Sequence, residues 1–243
     1  MQRTADGGRA IPLAEHAPIH TEPWHHILEI PSGEGLPPAR AIAVDAPLVV
    51  EGYELCGRRE SYDVLPRELY EQSGKAFQII YWDKNNAYCG VCGSPLRRET
   101  SISKRCPGCG KEVWPQLAPA VIVLIKRGDE VLLVQSRKFK RDYYGLVAGF
   151  VEPGETLEAA VAREVKEETG ISITAPRYFG SQPWPYPSGV MIGFVAEYVS
   201  GSIALQKEEL TKGGWFTKNA MPPIPAKLSI ARQMIDAWVE GSV

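Results

Sequence analysis

Residues 157–169, "LEAAVAREVKEET", carry a conflict that narrows what the chain can fold into. Thr156 suits an N-cap and Gly170 a C′ stop, so the segment reads as one helix. At about 100° per residue, Leu157, Ala160, Val161 and Val165 form a stripe that needs a core, while Ala159, Ala162 and Lys166 face outward. Glu164 and Glu168 fall near the centre of the apolar stripe, and Glu167 falls beside Ala160. Like charges at this spacing repel, and a carboxylate turned toward a core must find a partner or take up a proton. A solvated acidic face does not fit this arrangement. Hard cations such as Mg2+ or Mn2+ take converging carboxylate oxygens, so the helix is expected to bind metal at the edge of a core.

The surrounding texture predicts a mixed α+β layered domain. "AVIVLIKRGDEVLLVQSR" is two β-branched runs joined by a hairpin signal. "YYGLVAGFVE" reads as a strand running into a Gly-rich bend, "GVMIGFVAEYVSG" alternates like a strand, and "KLSIARQMIDAWVE" is an amphipathic helix. There is no regular βαβ alternation, which argues against a doubly wound sheet. Residues 1–84 are less legible. "HHILEIP" and "AIAVDAPLVVEGYEL" read as strands, "GKAFQIIYWDKNN" as a short helix or a strand, and the adjacent His25 and His26 would face opposite sides of a strand.

Between these parts lie two C-x-x-C knuckles, Cys89/Cys92 and Cys106/Cys109, thirteen residues apart. That spacing matches a four-thiolate zinc ribbon, with Gly90, Gly93, Gly108 and Gly110 supplying tight backbone. Paired disulfides are the rival reading, and the N-terminus shows no export signal that would favour them. Cys56 is left over and reads as a packed thiol. A unit of about thirty residues has little core, so the expected task of Zn2+ is structural. Ribbons can also bind nucleic acid, and Arg97, Arg98, Lys104 and Arg105 keep that open.

The formal net charge of −2 implies no broad basic surface. The longest apolar run, "LAPAVIVLI", is too short for a membrane span. The expectation is a cytosolic protein with no membrane partner.

"GFVEPGETLEAAVAREVKEETGI" resembles the Nudix box, G-x5-E-x7-R-E-U-x-E-E-x-G-U with U apolar, at every fixed position: Gly149, Glu155, Arg163, Glu164, Val165, Glu167, Glu168, Gly170 and Ile171. The resemblance implies a loop–helix–loop that binds Mg2+ or Mn2+ and hydrolyses a diphosphate joined to another group. It makes Glu164 and Glu168 the main ligands, with the Ala148 carbonyl a further one. Glu167 assists, Glu155 and Arg163 hold the loop against the helix, and Gly149 permits the bend. One carboxylate takes the proton of the attacking water.

"SQPWPYPSG" narrows the substrate. In isolation it reads as a stiff surface loop. It resembles the S-Q-P-W-P-F-P-x-S signature of the NADH pyrophosphatases of this superfamily through Ser181, Gln182, Pro183, Trp184, Pro185 and Pro187, with Tyr186 in place of Phe, Ser188 at the free position and Gly189 in place of the last Ser. That family joins an N-terminal domain to a ribbon and a Nudix α/β/α sandwich with a mixed sheet. The boundaries implied here are 1–84, 85–115 and 116–243. The resemblance adds Glu209 as a metal ligand, Ala231 beside the ligand, and Phe150 and Trp114 as aromatics holding adenine, one from each subunit of a homodimer. It implies hydrolysis of NADH or NAD+ to nicotinamide mononucleotide and AMP, and of NAD-capped RNA at the same site. The alternatives are another nucleoside diphosphate derivative such as ADP-ribose, or a zinc-ribbon adaptor that keeps the Nudix fold only for binding.

Overall fold

A computed structural model describes residues 2–3, 9–10, 27–31, 39–44, 49–139 and 142–243. His25 and His26 lie outside the described residues. The chain divides into two compact units, Met1–Gln116 with Pro185–Ser188, and Leu117–Trp184 with Gly189–Val243.

In the first unit β1 (Gln2–Arg3) pairs with β2 (Arg9–Ala10), and β3 (Ile27–Ile30) with β4 (Ala39–Ile42), both antiparallel. Helix α1 (Arg67–Asn85) settles the ambiguity of residues 74–86 as helix; its buried Tyr70, Gly74, Ile79 and Trp82 show a helical period only over the longer window. Ile79 packs with Leu28 and Ile30 in a small core. Of the strand expected over 41–55, residues 41–42 lie in β4 and residues 45–48 lie outside the described residues. β4 ends at Ile42, and Gly52, at φ 77°, turns the chain where a strand would continue.

The ribbon follows as β5 (Arg97–Thr100), β6 (Ser103–Arg105) and β7 (Glu112–Val113), one antiparallel sheet. Its basic residues are already engaged. Lys104, almost wholly buried, donates to the Asp83 and Asn86 carbonyls at 2.7 and 2.8 Å, so it caps the C-terminal end of α1. Its ammonium also lies 3.0 Å from Asp83 Oδ1, and Arg98 pairs with the same carboxylate. Arg105 pairs with Glu99 and Glu112. Of the four basic residues that keep nucleic-acid binding open, Arg98, Lys104 and Arg105 are paired with carboxylates, while Arg97 is exposed.

The second unit is a three-layer sandwich. Its strands are β8 (Ala118–Arg127), β9 (Glu130–Ser136), β10 (Val147–Phe150), β11 (Ser172–Ile173), β12 (Arg177–Trp184), β13 (Gly189–Ser200) and β14 (Leu210–Thr217). The order is β11-β13-β8-β9-β14, with β10 on β8 and β12 on β13. β8 and β13 run parallel and the other pairs antiparallel, so the sheet is mixed, as the lack of βαβ alternation predicts. Alternation sorts the side chains. Val121, Val123, Ile125, Leu132 and Val134 meet helix α2 (Leu157–Thr169), while Ile122, Leu124, Val131 and Leu133 meet helix α3 (Ile230–Glu240). Thr156 Oγ1 accepts from the Ala159 amide and Gly170 stands at φ 76°, so both predicted ends of α2 are observed. Among the described residues no helix is long and apolar enough to cross a membrane.

Burial raises the pKa of Asp83, but the hydrogen bonds and charges of Lys104 and Arg98 outweigh it and hold the carboxyl below its ordinary value. Its ionised pairing thus stabilises the fold above the unfolded pKa of about 3.9 and is lost as pH falls through the lowered folded value. Asp83→Asn should cost roughly 2–3 kcal/mol by leaving two cations uncompensated. It should also flatten the loss of stability on acidification below pH ~4. Urea midpoints of wild type and variant across pH check both expectations.

Candidate active site and metal centre

Arg163 organises the acidic helix. Its Nε and Nη2 grip both Glu155 oxygens at 3.0 and 2.6 Å, and Nη2 also reaches the Phe150 carbonyl at 3.0 Å. Nη1 bonds Glu164 Oε1 at 2.9 Å and Glu167 Oε2 at 3.2 Å. Glu155 further accepts from the Glu152 amide at 2.7 Å. One side chain thus ties the end of β10, the loop 152–155 and α2 together. Arg163, followed by the Glu152 amide, keeps the Glu155 carboxyl below its usual range, and Glu155 in turn raises the arginine.

The acids then separate by environment. Glu167 is more than half exposed, because it sits at the edge of the apolar stripe rather than within it. Glu164 has only 14% of its side chain exposed, and burial raises its pKa against the pull of Arg163. Glu168 is 5% exposed, and among the described residues no donor bonds its carboxylate. Burial first, then the charges of Glu164 and Glu209, push it up to about 7, with Lys138 opposing. Gly149 leaves the space that the Glu164 carboxylate occupies. A Cβ there would stand 1.9 Å from Glu164 Cδ and 2.0 Å from its Oε1. Ala148, half-buried, precedes it on β10.

Glu209 reaches this group through backbone bonds. The amides of Ala204 and Gln206 donate to the Thr169 and Glu168 carbonyls, both at 2.9 Å, capping the end of α2. The same loop carries Glu209, whose carboxylate lies 3.4 Å from Lys138 Nζ. Neither Lys138 nor these two amides was anticipated. Backbone donors have no sequence signature, and "SRKFKR" shows only a basic loop.

The remaining expected ligand-binding residues fall in two places. In the second unit Gln182 spends its whole amide on the start of α3. Nε2 donates to the Leu228 carbonyl at 2.8 Å, and Oε1 accepts from the Ile230 amide at 2.7 Å. That bond pair fixes the first turn of α3, where Ala231 is buried. Pro183 is exposed, Trp184 half-buried, and Phe150 65% exposed. A Cβ on Gly189 would lie 3.2 Å from the Trp184 carbonyl and 3.3 Å from that of Ala118. In the first unit Trp114 is 52% exposed, Pro185 buried and Pro187 exposed. There the Tyr186 hydroxyl shares a 3.2 Å hydrogen bond with Tyr70, and Arg58 and Arg59 each lie 4.6 Å from its ring centroid. Ser188 Oγ donates to the Gln116 carbonyl at 2.8 Å.

The cysteines converge. All four sulfurs lie within 4.8 Å of one another, and among the described residues no other group of three or more metal-ligating side chains is drawn so tightly together. Cys89–Cys109 and Cys92–Cys106 sulfurs are 3.6 and 3.4 Å apart, far beyond a disulfide bond of about 2.05 Å. They are close to the ~3.8 Å edge of a tetrahedron with Zn–S bonds of about 2.3 Å. The two knuckles repeat one turn. The Cys89 and Cys106 amides bond the Ser94 and Lys111 carbonyls, and Gly93 and Gly110, at φ 73° and 76°, return to the Cys89 and Cys106 carbonyls. Hydrogen bonding with Ser94 pulls Cys92 down to about 6. Against the lowering contact of the Lys111 amide, the Cys106 and Cys92 sulfurs push Cys109 up to about 12. Four thiols so close resist ionising together unless a cation binds them.

Residues 116–238 match the family model of the NUDIX domain. The NAD-capped RNA hydrolase NudC of Stutzerimonas stutzeri (strain A1501) is 41% identical over 224 residues, covering 89% of this chain and 81% of the relative. The protein of the same name from Deinococcus radiodurans is 40% identical over 225 residues, covering 86% and 80%. A crystal structure of a NUDIX hydrolase from Nitrosomonas europaea superposes with TM-score 0.54 at 23% identity, over 63% of this chain and 90% of that one, which shows the shared fold.

Gly149→Ala should destabilise the second unit by roughly 1–3 kcal/mol, the range for overpacking. In a Glu164→Ala background, where the collision partner is gone, the same change should be near neutral. A double-mutant cycle in chemical denaturation measures the difference.

Proposed function

The chain belongs to the Nudix hydrolases, in the family of its NAD-capped RNA hydrolase relatives, and on that premise we propose that it cleaves the diphosphate of NADH or NAD+ to nicotinamide mononucleotide and AMP, and removes NAD caps from RNA. The observation that carries the reading is the Glu168 carboxylate, buried, without a hydrogen-bond donor among the described residues, and crowded by Glu164 and Glu209. Such a group holds its proton more tightly than an ordinary carboxyl, and a cation beside it would favour the ionised form, so the donor set fits Mg2+ or Mn2+. Glu164, Glu168 and Glu209 would hold the ion, with the Ala148 carbonyl as a further ligand. When bound, it supplies neutralisation of phosphoanhydride charge and a more acidic water.

The protein's own residues do the rest. Arg163 holds Glu155, Glu164 and Glu167 in place, so the acids need not be gathered during the reaction. Glu167, at the solvent edge, assists by orienting water. Gln182 positions the first turn of α3, and so Ala231, beside the substrate. Phe150 and Trp114 offer exposed rings for adenine, one of them supplied by the partner subunit of a homodimer. Each stacking platform is worth about 1–3 kcal/mol per base. Cys89, Cys92, Cys106 and Cys109 would hold Zn2+ in a closed set of four thiolates, which suits a structural role.

One observation favours a second reading, hydrolysis of another nucleoside diphosphate derivative such as ADP-ribose. Gly189 stands where the signature has serine, and two carbonyls crowd the place a side chain would take. The hydrolase relatives set aside the non-catalytic adaptor.

With Mn2+ or Mg2+, the chain should convert NADH to nicotinamide mononucleotide and AMP, and chelator should abolish the conversion. Glu168→Gln should lower turnover at least about 100-fold. Chromatography of products from NADH, NAD+, ADP-ribose and NAD-capped RNA tests the assignment, and turnover of ADP-ribose alone favours the second reading. Separately, elemental analysis should find one zinc per chain, lost in Cys106→Ser together with stability of the first unit.

A further inference from the structure

Lys138 lies outside the acidic helix and outside both motifs, yet its place is built with care. It follows β9 in a tight turn, where its amide donates to Ser136 Oγ at 3.2 Å and the Phe139 amide to the Ser136 carbonyl at 3.1 Å. Phe139 is stacked on Tyr143 with centroids 4.4 Å apart. The preceding residue is tied to the loop that carries Glu209. The Arg137 amide donates to the Glu209 carbonyl at 2.8 Å, and Arg137 Nε to the Lys207 carbonyl at 2.5 Å. That loop is fastened in turn to the Glu168 and Thr169 carbonyls. Backbone bonds therefore run from Glu168 through Glu209 to Lys138 and deliver an ammonium to the carboxylate group.

The ion pair itself does not explain this scaffold. Nζ is 3.4 Å from Glu209 Oε2, the lysine side chain is 80% exposed, and an exposed pair of that length adds little stability. Among the described residues it is the one ion pair Lys138 makes. Glu209 is also a carboxylate that a divalent cation would claim. A cation there displaces the ammonium by like-charge repulsion and leaves it at the rim on a flexible four-carbon stem. Lysine in that state is a mobile point charge suited to phosphate.

We propose that Lys138 binds the substrate's diphosphate: with divalent ions on Glu168 and Glu209, its ammonium leaves Glu209 and pairs with a phosphate oxygen. This rests on reading the site as a diphosphate hydrolase. Lys138 is a substrate-binding residue with no part in bond making.

The test is a calorimetric titration of the full chain in saturating Mn2+, with the Mn2+ complex of methylenediphosphonate, whose P–C–P bridge resists hydrolysis, as titrant. Lys138→Met should bind the probe about five- to tenfold more weakly than wild type, and Lys138→Arg should recover most of the loss. Paramagnetic resonance of free Mn2+, run in parallel, should show metal affinity in Lys138→Met equal to wild type or tighter, since a competitor for Glu209 is gone. Probe affinity unchanged in Lys138→Met, or a loss matched by weaker Mn2+ binding, overturns the proposal. If wild type binds Mn2+ in a Glu168-dependent way while Lys138→Met has no effect on the probe, the hydrolase reading stands and this one falls. If wild type binds no Mn2+, both fall.

Discussion

The bidentate grip of Arg163 on Glu155 is the contact on which the acidic site depends. A helix with three inward or edge-facing glutamates cannot pack against a core by hydrophobic burial alone. Arg163 offsets part of that cost and sets how the remainder is distributed. Glu155 is fully satisfied, while Glu164 and Glu167 share one guanidinium nitrogen. Glu168 receives nothing from Arg163 and lies deepest. The charge left uncompensated is therefore concentrated on one face, next to Glu209. Because the same guanidinium holds the Phe150 carbonyl, the end of β10 cannot move independently of α2. That coupling lets a missing side chain at Gly149 become the space that Glu164 fills.

The sandwich supplies rigidity from below. Alternating residues of β8 and β9 bury one face against α2 and the other against α3, so the sheet cannot slip by one residue without turning both cores outward. The acids stand where the α2 stripe runs out toward its C-terminal end, and there the loop 203–209 closes over the last carbonyls. An end that would otherwise carry exposed carbonyls becomes the anchor that brings Glu209 to Glu168.

Much of this is legible in the sequence because it is periodic or local. The limits of α2 follow from Thr156 and Gly170, the ribbon from two C-x-x-C pairs, and the sheet's two faces from β-branched alternation. What stays hidden depends on partners distant in sequence. Lys104 and Arg98 read as a basic flank, yet they serve Asp83, 21 and 15 residues earlier. Gln182 reads as part of a ligand motif, and its amide is committed to residues 228 and 230. Glu167 shows the limit of a helical wheel. A position at the stripe's edge is decided by its neighbour, here Arg163, and not by angle. At the far end of the strand expected across 41–55, a left-handed turn at Gly52 breaks the extended run.

The two donor sets in the chain suit different ions, and that separates their roles. Four thiolates in paired turns form a soft, closed set, fixed by backbone bonds that repeat almost bond for bond. Such a set favours zinc and leaves no open position for a reacting molecule. The glutamates form a hard oxygen set, open toward solvent at Glu167 and Glu209. Magnesium and manganese suit that set and bind thiolates poorly, so the thiolate site does not draw them away. A closed set of this kind suits a structural ion in the first unit. The open site, whose carboxylates lack enough internal partners, is where chemistry on a charged substrate can take place.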